Sequence, residues 1–217
     1  SDLYRLQINQ TGGNAGKEII DSVEFGWRYN LADLSLAATT FAMRKRGVFF
    51  RDANGFSEAN GETDHIGLEL EGSWQLIEDL LWTGSMSYAN HTYAFTREIT
   101  GGPNTTETIL SGNQVDTAPK WLASQRLSWQ IHSTLSTALH WQLVGAYYMD
   151  ASNQHEYDGH QLWSATADYQ VHPDIQLSLG VENLLDTRYA NRADYAFGNE
   201  RYLPGRPRTA TVGIDWR

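Results

Sequence analysis

The sequence predicts an all-β protein, an antiparallel up-and-down meander of about nine or ten long strands. Three observations carry that reading. Apolar and polar residues alternate with a period of two along most of the 217 residues, the pattern of strands with one apolar face. Short and long connections alternate along the chain, as they must when one edge of a meander has tight turns and the other has loops. Tryptophan and tyrosine gather beside the short connections.

The alternation is clearest where Ile66, Leu68, Leu70, Gly72, Trp74 and Leu76 oppose His65, Gly67, Glu69, Glu71, Ser73 and Gln75. It recurs from Leu135 through Leu139 and Leu143 to Met149, then at Ile175, Leu177, Leu179 and Val181, and at Ala210, Val212, Ile214 and Trp216. The strands expected are Lys17–Tyr29, Asp33–Val48, Thr63–Gln75, Leu80–Phe95, Ala118–Ile131, Ser136–Met149, His160–Val171, Gln176–Tyr189 and Pro207–Arg217. Residues 1–10 are either a tenth strand or part of a loop. Short turns fall at Asn30–Asp33, Leu76–Asp79, His132–Leu135 and His172–Asp174. Longer connections, rich in Gly, Asn and charge, fall at Arg51–Glu62, Thr96–Gln114, Asp150–Gly159 and Asn191–Gly205.

Strand length separates this pattern from an ordinary soluble fold. Strands of about 10–14 residues, at ~3.3 Å per residue and a tilt near ~45°, reach across a bilayer's hydrocarbon core. Strands of soluble domains are commonly about five or six residues. Trp27, Tyr29, Trp74, Trp82, Trp129, Tyr169 and Trp216 all lie near the short-turn ends of their strands, which suits an interfacial girdle. The plainer reading is core aromatics near strand ends. With no repeat, linker or break in composition, residues 1–217 are expected to form one domain, part of a transmembrane β-barrel.

Composition narrows the function. Sixteen Lys and Arg against 26 Asp and Glu give a net charge of −10, opposite to the basic excess of a nucleic-acid surface. The absence of cysteine excludes disulfide scaffolds, thiolate metal sites and cysteine nucleophiles. No apolar run approaches the ~20 residues of a membrane-spanning helix.

The most suggestive loop reads YYMDASNQHEYDGH, where Met149, Asp150, His155, Glu156, Asp158 and His160 offer soft and hard donors to a metal or ligand. Their spacing matches no known ligand pattern, and a solvated acidic loop is the bland alternative. His132 and His172 fall in short turns; His65, His91 and His140 fall on polar faces, which suits a lumen lining better than a ligand role. GGNAGKE at residues 12–18 is too short between glycines for a phosphate loop and has Glu18 where a hydroxyl should follow Lys17. Glu69 and Glu71 could be drawn as a glycosidase pair but simply alternate along one strand. No catalytic grouping and no cofactor motif is expected.

The C-terminal third carries a more specific pattern. QLSLGVENLLDTRYA precedes a loop and then YLPGRPRTATVGIDWR. The segment resembles the end of a TonB-dependent outer-membrane receptor. Asn183, Leu184, Leu185, Asp186 and Tyr189 match the family's Asn-Leu-[Phe/Leu]-Asp-x-x-Tyr signature. Pro204, Gly205, Arg206, Pro207 and Arg208 match the Pro-Gly-Arg-Pro-Arg segment that opens the final strand. DSVEFGWRYN, the stretch from His65 to Phe95, and NQVDTAPKWLASQRLSWQ resemble further family strands.

The resemblance implies a bacterial outer-membrane barrel whose partners are outer-membrane lipid, an N-terminal plug, TonB and a small-molecule metal chelate. Energised uptake of a ferric siderophore, or of another scarce nutrient, is the implied activity. The family's full barrel has 22 strands and a plug ahead of it. The chain is therefore expected to be the C-terminal portion of such a receptor, without the plug and the N-terminal strands.

Independently of the family, Asn183 and Asp186 suit a strand exit, because their side chains bond nearby backbone. Pro207 suits a strand start, since it cannot donate to a ladder. Arg206 and Arg208 are either lumen-side partners of acidic groups or solvated loop charge. The polar face, including Glu69, Glu71, Arg126, His140, Gln142 and Glu182, is expected to point inward. Two rival readings stand beside this one: a small complete barrel acting as a passive pore or adhesin, and a soluble β-sandwich binding module.

Overall fold

The computed structural model describes residues 17–51, 57–102 and 105–216. The strands are β1 (Ile19–Asn30), β2 (Leu34–Arg51), β3 (Ser57–Ile77), β4 (Leu80–Tyr93), β5 (Arg97–Gly102), β6 (Thr105–Ile109), β7 (Trp121–His132) and β8 (Leu135–Val144). They continue with β9 (Tyr147–Tyr148), β10 (Glu156–Tyr157), β11 (His160–His172), β12 (Ile175–Glu182), β13 (Ala190–Ala196), β14 (Asn199–Pro204) and β15 (Thr209–Trp216). Nine of them form one antiparallel meander in the order β1-β2-β3-β4-β7-β8-β11-β12-β15. The others form three two-stranded hairpins, β5–β6, β9–β10 and β13–β14, each inside a long connection.

Strand register makes the two faces explicit. Residues directly opposite on neighbouring strands share a face. Leu34, Trp74, Trp82, Leu127, Leu139, Ala165, Val181 and Ala210 form one unbroken apolar row from β2 to β15. On the other face, Asn30, Ser35, Ser73, Thr83, Arg126, His140 and Ser164 form a polar row from β1 to β11. Glu69, Glu71, Gln142 and Glu182 share that polar face.

The apolar face is bare. Val23, Phe25, Val212 and Ile214 are each at least 70% exposed, and such residues extend across the sheet far beyond the patch a soluble monomer tolerates. A sandwich needs a second sheet over this face, and none stands there among the described residues. The soluble-sandwich alternative therefore falls.

On β3 the apolar band runs from Ile66 to Leu76, about 33 Å of strand, or roughly 23 Å upright at a 45° tilt. Above Ile66 the same face turns to charge. Asp21, Arg44 and Asp64 stand in one row, with Arg44 bidentate to Asp64 at 2.7 Å through both Nε and Nη2.

The aromatics near the short turns lie on the apolar face, as their placement in sequence suggested. A second group, not anticipated, sits toward the other end of the band. Tyr88 faces Trp121 with ring centroids 4.6 Å apart, and Trp141 faces Trp163 at 6.2 Å. Barrels in membranes carry aromatic girdles at both interfaces.

Several expected boundaries move. The strand expected at Ser136–Met149 leaves the sheet after Val144; the Gly145 amide still bonds the Trp121 carbonyl at 2.8 Å, and Tyr147 and Met149 then turn into a buried cluster with Ala190 and Ala193. The strand expected at Gln176–Tyr189 stops at Glu182, because Asn183 and Asp186 take positive φ of 51° and 53°. The connection expected at Arg51–Glu62 is mostly pairing of β2 with β3, which continues to Arg51 and Ser57. Of the other three long connections, Thr96–Gln114 holds the β5–β6 hairpin, Asn191–Gly205 holds most of β13–β14, and Asp150–Gly159 holds β10 and the loop that joins it to β9. Residues 1–10 and most of residues 12–18 lie outside the described residues.

Candidate functional site at the long-loop end

The densest packing sits above the sheet rather than under it. Tyr147, Met149, Ala190 and Ala193 form the buried cluster, flanked by Val144, Tyr157 and Tyr195. Two tyrosines fasten it. The Tyr147 hydroxyl accepts the Ala193 amide at 2.8 Å and donates to the Ala193 carbonyl at 3.2 Å. The Tyr157 hydroxyl accepts the Ala190 amide at 3.1 Å and lies 2.9 Å from His160 Nδ1. Backbone bonds complete the dock, from the Met149 amide to the His155 carbonyl (2.8 Å) and from the Tyr195 amide to the Met149 carbonyl (2.9 Å).

Asp150 organises the loop between β9 and β10. It is 2% exposed, and its carboxylate accepts the amides of Gln154 (3.1 Å) and His155 (2.8 Å) and the Ser152 hydroxyl. Short acidic side chains accept local amides in this way where a chain reverses. Asn153, at φ 59°, exchanges bonds with Gln114 (2.7 and 2.8 Å), and Glu107 accepts the Ala151 amide at 3.2 Å. The loop therefore ties the β5–β6, β9–β10 and β13–β14 segments into one platform.

The candidate donors separate on this scaffold. Met149 is 1% exposed and packs in the cluster, and Asp150 is occupied by backbone. Glu156 and Asp158 face solvent. His155 stacks on Tyr195 with ring centroids 3.6 Å apart, and its Nδ1 lies 3.3 Å from Asp150 Oδ1 without hydrogen-bond alignment. Among the described residues, no three His, Asp or Glu side chains converge as a metal would require.

Two half-buried acid–base features, at Tyr93 and Glu107, were not legible in the sequence. Tyr93 donates to Asp116 Oδ1 at 2.5 Å, and burial, reinforced by the Asp116 charge, pushes the phenol well above its usual range. Burial also raises Glu107; the Ala151 amide pulls the other way, and Asp150 and Asp116 add to the rise.

The two halves of the C-terminal signature meet. Asn183 is 4% exposed; its amide group donates to the carbonyls of Thr187 (2.9 Å) and Arg206 (3.1 Å), and its oxygen accepts the Thr187 amide at 2.9 Å. Asp186 accepts the Arg208 amide at 2.9 Å, and the Gly205 amide bonds the Tyr189 carbonyl at 2.9 Å. The Tyr189 ring lies directly on Gly205, so a Cβ there would fall within the ring. Leu184 carries its own tie, from its amide to the Trp163 carbonyl at 2.7 Å. The segment around Asn183 and the segment from Pro204 to Arg208 are thus one clasp at the base of the β13–β14 hairpin. Arg206 is exposed, with Nη1 3.8 Å from Glu182 on the polar face. Beside the clasp, the polar face holds a pocket of about 330 Å3 whose lining includes Arg126, His140, Gln142, Glu182 and Tyr189.

A single antiparallel meander with a bare apolar face, a polar face, tight turns at one edge and docked hairpins at the other has the form of a membrane-barrel wall. The profile described as "TonB dependent receptor-like, beta-barrel" matches residues 2–184. The chain belongs to that family. It is 27% identical over 203 residues to the pesticin receptor of Yersinia enterocolitica, covering 89% of this chain and 28% of that protein. To the metal-pseudopaline receptor CntO of Pseudomonas aeruginosa it is 26% identical over 202 residues, covering 88% and 26%. The crystal structure of the siderophore receptor PiuA from Acinetobacter baumannii superposes with a TM-score of 0.76 at 18% identity, over 92% of this chain and 28% of that one. The ferric yersiniabactin uptake receptor FyuA from Yersinia pestis gives 0.73 at 24% identity, over 91% and 29%. The chain spans little more than a quarter of the length of these relatives.

Proposed function

We propose that this chain is the C-terminal wall of a larger outer-membrane receptor that imports a metal chelate, a ferric siderophore above all, with energy supplied through TonB. The observation that carries the reading is the division of one meander into a bare apolar face and a polar face, in a chain whose family is one of receptors. The apolar band suits outer-membrane lipid, and the polar face, with Glu69, Glu71, Arg126 and His140, suits contact with an N-terminal plug. The docked hairpins suit capture of ligand from outside. Within the β9–β10 loop, Glu156, Asp158 and the edges of His155 and His160 are the donors a chelate could meet, while Met149 and Asp150 hold the loop's shape. The clasp residues position that end of the barrel and are assigned no ligand contact.

The test is uptake of radiolabelled ferric siderophores by cells whose only such receptor is the full-length protein carrying this chain. Uptake that stops when TonB is deleted or a protonophore is added is the expected result. Entry of small solutes that persists without energy would instead make it a passive pore and overturn the proposal.

A further inference from the structure

Three side chains that the sequence scatters are aligned by strand register. Met43 stands directly opposite His65, and His65 directly opposite His91. All three share the polar face, one residue above the apolar band that begins at Ile66. Directly opposed residues have Cβ atoms about 4.5–5.5 Å apart, so the roots of one thioether and two imidazole side chains stand side by side on three adjacent strands.

The imidazoles already point at each other. His65 Nδ1 and His91 Nδ1 are 2.7 Å apart, with ring centroids at 4.9 Å and planes at 60°. Two N–H groups cannot face each other at that distance, so a single proton lies between them and one Nδ1 presents its lone pair. The other nitrogen of His65 lies 2.8 Å from the hydroxyl of Thr63, itself only 4% exposed. This is the outer-shell contact that fixes the ring and tautomer of a metal-bound histidine.

We propose that Met43, His65 and His91 form a binding site for a soft metal ion, copper(I), on the polar wall of the barrel. At metal–nitrogen distances of about 2.0–2.1 Å, two ligands of a tetrahedral ion are roughly 3.3 Å apart. The Nδ1 atoms need to separate by only about 0.6 Å, within reach of small side-chain rotations. Binding through both Nδ1 atoms places the ring protons on Nε2, where His65 donates to Thr63 Oγ1, and no net proton is released. The thioether decides the metal. Sulfur with imidazole favours copper(I), whereas magnesium and calcium require oxygen donors. The site is independent of the import reading, since it is defined by local register alone.

The experiment uses the full-length protein in detergent, titrated anaerobically with copper(I) against the chromophoric chelator bathocuproine disulfonate. His65→Ala and His91→Ala should each bind one equivalent fewer than the unmutated protein. Met43→Leu should weaken that equivalent roughly tenfold or more and remove sulfur from its X-ray absorption spectrum. In the unmutated protein, copper(I) should also protect His65 and His91 from diethylpyrocarbonate, read by mass spectrometry, so the result does not rest on variants that fold poorly. Equal copper(I) uptake by the histidine variants, unchanged affinity in Met43→Leu, or undiminished histidine modification overturns the proposal. Displacement of the copper by equimolar zinc overturns the choice of metal.

Discussion

Placing arginine at Leu139 tests which face meets lipid. Leu139 lies midway along the β8 apolar run between Leu135 and Leu143, is 39% exposed, and belongs to the row that runs unbroken from Leu34 to Ala210. On a lipid face at mid-depth, an arginine costs about 2–4 kcal/mol. That lowers the folding equilibrium by roughly 30-fold to several-hundred-fold. Gln142, three residues along the same strand, points to the opposite face, in the row of Glu71 and Ser124. Arginine there meets carboxylate and water, and should change stability by under about 0.5 kcal/mol. The assay is denaturant unfolding of the full-length protein in phosphatidylcholine vesicles, followed by tryptophan fluorescence and heat-modifiable gel mobility. Equal losses in Leu139→Arg and Gln142→Arg, or a larger loss at Gln142, would refute the assignment of faces.

Three further outcomes follow from the long-loop end. Asn183→Ala removes the bonds to Thr187 and Arg206 at a residue with φ 51°, and should cost roughly 2–4 kcal/mol; hydrogen exchange at the Thr187 amide should accelerate with it. Gly205→Ala should destabilise by about 1–3 kcal/mol through collision with the Tyr189 ring, and a double-mutant cycle with Tyr189→Ala should recover much of that loss. Burial raises the Glu107 pKa above its ordinary 4.5, so the docked loop holds the proton more tightly than the undocked one. Docking should be strongest below about that value and weaken as pH rises through the raised one; exchange protection of the Ala151 amide should follow this course, and Glu107→Gln should abolish it.

How much of this was legible depends on whether one strand or several define a feature. The nine strands were readable because each carries its own apolar face, and alternation along one segment suffices to reveal it. The break after Val144 was not, because Tyr147 and Met149 continue the alternation in phase while packing against β13 instead of joining the exposed apolar face. The β5–β6 hairpin, REITGG against TTETI, has too few apolar residues to show a period. The second aromatic girdle and the Met43–His65–His91 row exist only through register between strands, which alternation within a strand cannot supply. Asp150 was visible as a candidate donor; that its carboxylate serves neighbouring amides follows from a turn the residue order alone did not specify.

The clasp has a consequence for how the barrel's outer architecture can vary. Asn183 and Asp186 on one side, and Gly205 to Arg208 on the other, hold both ends of the intervening segment at fixed separation. The hairpin between them is thus anchored at its root before it docks on Tyr147 and Met149. β12 and β15 pair from Ile175–Trp216 to Glu182–Thr209, and the segment between them adds Ala190 and Ala193 to the buried cluster. Change in length is therefore accommodated at the exposed tip around Phe197, whereas Ala190 and Ala193 are bound to the shape of the cluster they complete.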